Sequence, residues 1–231
     1  IFGINNIHFR FGHISILQYL SAINNNILFM SNGITIPLAS IISLFYIYFG
    51  YDVWKSIKDN DAIDIGKIFS LFILIYISYK INRYSSFGND AVPHLCFFYI
   101  ISYVLKKQIS EVNVNKLLLF SVFIFINKPT LGLVFIIPLA LFFLQKNFTF
   151  NSYLKLIISF PTFLLFFWLI KNIIISGCAI YPIKITCIDK LPWTNKTQIV
   201  KAYTESEAWS KGWPDRKEKN ISIVDFNKNF N

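Results

Sequence analysis

The apolar residues of this chain are gathered into long runs rather than spaced at the intervals of an amphipathic helix. Ile68–Tyr79, Leu131–Leu144 and Tyr153–Ile170 hold between them a single charged residue, Lys155. A run with no polar side has no face to turn to water, so it needs apolar surroundings all round. The whole chain is 55% hydrophobic and 15% charged, where a water-exposed domain carries about a quarter charged residues. These properties predict an all-α, polytopic helical membrane protein with about six apolar segments.

The first segment runs from Ile27 to Phe49, with its apolar heart at Ile34–Phe49 and a possible kink at Pro37. Ile68–Tyr79 is the second, extended if Ile65 and Ile81 join it. Val92–Leu105 is the third, opened by Pro93 and closed by Lys106 and Lys107. Leu117–Ile126 and Leu131–Leu144 follow, split by Asn127-Lys128-Pro129-Thr130, unless they fuse into one kinked helix. Tyr153–Ile170, reaching towards Ile175, is the sixth. Several are shorter than the ~20 residues of a perpendicular span, so some are broken or partly inserted. The domain reading is an outer segment over residues 1–26, a helical membrane domain over 27–175, and an outer tail over 176–231.

Charge supplies the sidedness. The net charge of +10 comes mostly from lysine: only Arg10, Arg83 and Arg216 of the 22 basic residues are arginine. The lysines are scattered between apolar runs instead of forming one patch, which excludes nucleic acid as a partner. With six spans and the N-terminus outside, inner loops hold Lys55, Lys58, Lys67, Lys106, Lys107, Lys116, Lys146 and Lys155. The outer connections hold Lys80, Arg83 and Lys128. That bias follows the positive-inside rule and places the N- and C-terminal parts on the outer side of a bacterial inner membrane. The chain starts at Ile1, its one methionine is Met30, and it ends within a polar stretch. It reads as an internal fragment without a signal peptide.

Four clusters carry chemistry. Gly3–Ser15 contains His8, Arg10 and His13, which suit a phosphate or pyrophosphate, or else meet lipid headgroups as an interfacial segment. Asn89-Asp90-Ala91-Val92-Pro93-His94 reads as a helix start, with Asp90 and His94 on one face. Asp90 is either a plain N-cap or a general base, and it is the candidate ligand for a divalent cation. Lys128 either neutralises a phosphate or snorkels to headgroups. The stretch Ser176–Trp193 stops a helix with Ser-Gly then Tyr-Pro, and offers Tyr181 and Trp193 for stacking on a sugar or for anchoring. Cys178 and Cys187 lie in the same stretch, either joined as a disulfide closing a short loop or left as two thiols. Cys96, inside the third segment, reads as a small apolar residue. No zinc spacing, glycine-rich nucleotide loop or nucleophile elbow occurs.

The order of these clusters is more specific than any one. Gly-x-x-Asn-x-His-x-Arg-x-Gly before the first span, an Asp ahead of a helix, Lys-Pro-Thr between short helices, and Lys-Asn-x3-Ser-Gly-x3-Tyr-Pro after the last resemble a recurrent pattern. It is similar to that of bacterial multi-pass membrane proteins related to the GT-C glycosyltransferases. The resemblance spans roughly Gly3–Trp213. It implies transfer from a polyprenyl-phosphate-linked sugar donor to a glycan or lipid acceptor on the outer face. His8, Arg10 and Lys128 then serve the phosphate, and Asp90 is a second acid. The principal acid of such enzymes precedes the Asn-x-His-x-Arg stretch, ahead of Ile1, so the fragment by itself is expected to be inactive. The competing readings are an O-antigen polymerase or flippase-like assembly protein, and a noncatalytic membrane subunit. A flippase calls for cations inside its spans, and these spans hold almost none.

Overall fold

The computed structural model describes residues 15–17, 36–58, 64–84, 90–145, 150–212 and 222–228. The protein is all-helical. Helices α1 (Ile36–Lys58), α2 (Ile65–Tyr84), α3 (Ala91–Leu105) and α4 (Val114–Asn127) are followed by a 3-10 segment, Pro129–Phe135. Then come α5 (Ile136–Leu144), α6 (Phe150–Ile157), α7 (Phe160–Ser176), α8 (Lys196–Ser210) and α9 (Ile223–Lys228). Among the described residues there is no strand, only an isolated bridge between Cys178 and Cys187.

The helices form two compact units, one of residues 15–165 and the other holding the described residues from Phe166 onward. In the first, α3 is the central element. Val92, Cys96 and Ile100 recur at i, i+4, i+8 and join a core with Leu117, Ile124, Val134 and Leu141. Ala91 and Leu95, on the adjoining stripe, pack with Ile42, Phe49, Ile73 and Ile77. Because α3 carries no charged residue, both stripes can be buried. Cys96 is 3% exposed within this core, as a small apolar residue should be.

Several boundaries differ from those expected of the apolar runs. The first helix continues past Phe49 to Lys58, since Tyr51–Lys58 contains no breaker. Asp64 accepts from the Lys67 amide at 2.8 Å and starts α2 three residues before the apolar run. Asn113 does the same for α4, accepting from the Lys116 amide at 3.0 Å. The fifth segment is not one helix: Pro129–Phe135 is 3-10, and only Ile136–Leu144 is α-helical. Both pieces pack back on α4, so segments four and five form a corner rather than one kinked helix.

The sixth segment is also divided, at Ile158–Ser159. Pro161 lacks an N–H and restricts the residue before it, so it ends one helix and sits in the first turn of the next. Thr162 Oγ1 donates to the Leu156 carbonyl at 2.9 Å across the break. These divisions correct the expectation of six helical spans. Among the described residues no helix is long and apolar enough to cross a membrane.

In the second unit α7 stops where Ser176-Gly177 was expected to stop it. Gly177 has φ +79°, the left-handed conformation glycine tolerates best, and its amide donates to the Ile173 carbonyl at 2.8 Å. A Cβ there would collide with the Thr194 side chain, so any other residue would have to displace it. The two units divide inside α7, between Leu165 and Phe166.

Candidate functional site

Asp90 precedes α3 with helical backbone angles, φ −77° and ψ −29°. An N-cap residue usually has an extended backbone so that its side chain can reach back to the first amides. Here the Asp90 carboxylate makes no cap hydrogen bond. It accepts instead from Lys128 Nζ at 2.8 Å. His94 lies one turn further along α3, its amide donating to the Asp90 carbonyl at 3.3 Å. The spacing of four puts both side chains on one face, and His94 Nε2 stands 3.5 Å from the same ammonium.

Lys128 is delivered by the corner after α4. Its amide still completes the helix by donating to the Ile124 carbonyl at 2.8 Å, but its own angles, φ −144° and ψ 86°, leave the helical region. Pro129 cannot donate, so the chain turns there into the 3-10 segment. Next to it, Asn127 Oδ1 accepts from Ser15 Oγ at 2.7 Å and from the Leu17 amide at 3.2 Å. Asn127 Nδ2 donates to the Phe123 carbonyl at 2.8 Å, which fixes its orientation.

The Asp90 side chain is 56% exposed and that of Lys128 27%. A pair so open to water adds ~0–1 kcal/mol to stability. The fold therefore does not depend on it, while both charges remain within reach of a solute. An acid, an imidazole and an ammonium from sequence-distant segments can accept a proton at one end and hold an anion at the other.

Of the other sequence candidates, His8, Arg10 and His13 lie outside the described residues. Cys178 and Cys187 are joined as a disulfide, with nine residues of sequence separation. Tyr181, offered by the sequence for stacking on a sugar or for anchoring, is 4% exposed within a core of Cys178, Ile199 and Ala202. Its hydroxyl donates to the Gln198 carbonyl at 3.5 Å. Trp193 is half-buried and its indole N–H donates to the Ile173 carbonyl at 3.0 Å. Among the described residues no group of three or more His, Cys, Asp or Glu is placed to hold a metal ion.

One polar cluster has no counterpart in the sequence reading. Asp52 accepts from Ser70 Oγ at 2.6 Å and from Lys106 Nζ, tying α1, α2 and the end of α3 together. A lone carboxylate within an apolar helix was the available signal, since such a group needs a partner. Which lysine it would find, 54 residues away, was not written locally.

The family described as Domain of unknown function (DUF8201) matches residues 1–230. No curated protein matches the chain, and no solved structure does.

Proposed function

We propose that this chain, which belongs to the DUF8201 family, is a GT-C-like protein of the bacterial inner membrane acting on a polyprenyl-phosphate-linked sugar. The single observation that carries the reading is the convergence of Asp90, His94 and Lys128. Membrane residence is supported by large apolar side chains directed outward. Leu44, Ile47, Phe72, Ile75, Phe143, Phe163 and Phe167 are all exposed on their helices. Surface of this kind needs lipid or protein against it. Helices broken by 3-10 turns and proline are compatible with a bilayer where the loosened backbone faces protein or a wet cavity.

In the proposed reaction the acceptor hydroxyl attacks the anomeric carbon of the donor. The bond from that carbon to the phosphate oxygen breaks, and polyprenyl phosphate departs with the bonding electrons. The hydroxyl proton passes to the Asp90 carboxylate, while Lys128 and His94 hold the departing phosphate. An arriving phosphate draws Lys128 away from Asp90 and so frees the carboxylate as a base.

The test is retention of labelled polyprenyl monophosphate by the purified protein. Lys128→Gln should weaken it about tenfold or more, the worth of a charge-assisted hydrogen bond. Asp90→Asn should bind at least as tightly as the unaltered protein, because a competing anion is gone. Equal retention by Lys128→Gln and the unaltered protein would sink the assignment.

A further inference from the structure

The corner that delivers Lys128 is closed by one carboxamide. Asn127 ends α4 and precedes Lys128 in the chain, and both ends of its side chain are used. Nδ2 donates back to the Phe123 carbonyl at 2.8 Å, which sets the plane of the amide. Oδ1 then faces the segment Ser15–Leu17, accepting from Ser15 Oγ at 2.7 Å and from the Leu17 amide at 3.2 Å. The Leu17 amide also donates to Ser15 Oγ at 3.1 Å, so the three groups close a triangle. Ser15 and Leu17 are both buried, and Leu17 belongs to the core that holds Val134 and Leu141. Hydrogen bonds in such surroundings are electrostatically stronger than the same bonds in water.

Lys128 is far less constrained by its own side chain. Its ammonium meets Asp90 at 2.8 Å and His94 at 3.5 Å, but at the end of a flexible four-carbon stem. Where that ammonium can settle depends on where its backbone is held, and hydrogen-bond geometry tolerates little displacement. The backbone at 128 leaves the helix with φ −144° and ψ 86°, and Pro129 has no amide with which to tie the turn. We infer that Asn127 is a positioning residue for Lys128. By pinning the end of α4 to Ser15 and Leu17, it keeps the ammonium within reach of Asp90, of His94 and of a phosphate bound between them. The inference rests on the function proposed above.

The experiment compares retention of labelled polyprenyl monophosphate by the full chain carrying Asn127→Ala, Lys128→Gln or both. Asn127→Ala should weaken retention about fivefold, the worth of one well-placed hydrogen bond. In the Lys128→Gln background the same change should cost less than about twofold, since the lysine it positions is already gone. Ser15→Ala, which removes a partner and keeps the amide, should act in the same direction by a smaller factor, and again not in Lys128→Gln. Gln145→Ala controls for a merely structural loss. Gln145 Nε2 donates to the Ile109 and Val112 carbonyls at 2.8 and 2.7 Å, ahead of the start of α4. Losing those bonds should leave retention within about twofold. Retention unchanged by Asn127→Ala overturns the inference, as does an equal loss in both backgrounds or an equal loss in Gln145→Ala. Absence of retention by the unaltered protein overturns the proposed function, and the role of Asn127 with it.

Discussion

At Gly177 the backbone and its surroundings impose the same requirement. A positive φ and a Thr194 hydroxyl where a Cβ would stand make Gly177→Ala costly twice over. We expect a loss of about 2–3 kcal/mol in the stability of the second unit, combining left-handed strain with displacement of Thr194. A fall in unfolding temperature followed by Trp193 fluorescence checks it; a change within error refutes it. Asp90 and His94 were legible together because a spacing of four residues on a helix is a local rule. Lys128 was legible as a charge at a turn. The burial of Tyr181 was not legible, because Tyr-Pro after a helix marks a turn without saying which side of the loop the ring occupies.

Among elements, end signals were better written than spans. Asn195 heads α8, its Oδ1 accepting from the amides of Thr197 at 3.1 Å and Gln198 at 3.3 Å. Asn195→Ala should cost about 1 kcal/mol and fray the first turn, read as faster hydrogen exchange at Thr197 and Gln198. Unchanged exchange would show that the cap is not holding the helix. The disulfide acts on a loop: Cys178→Ala with Cys187→Ala should lower stability by about 2–3 kcal/mol, the usual loop-closure effect, in a denaturant titration. Unchanged stability would remove the disulfide from what holds this unit. The divided fifth and sixth segments were harder to read. Hydropathy is equally high in a 3-10 turn and an α-helix, and it does not register where Pro161 interrupts the amide ladder.

For the whole molecule, composition foretold helices and scarce polar surface, and the described helices do leave Leu44, Ile47, Phe72 and Phe167 uncovered. If those side chains face lipid, the expressed chain should stay with membranes through alkaline carbonate washing and leave only with detergent. Recovery in the carbonate supernatant would count against membrane residence. The Asp52–Lys106 clamp was illegible because a contact across 54 residues depends on three helices packing in one order.

Asp90 stands at the head of α3 without capping it, and among the described residues its ion pair is with Lys128. Helix stability therefore exerts little selection for an acid at this position. Its descent should be tied to that of its partner: lineages that lose the cation at 128 should let position 90 drift to any small polar residue. Lineages that keep the cation should keep the acid. Inheritance of the two as a pair would be the mark of a working site, whereas independent drift would mark them as surface residues that happen to meet.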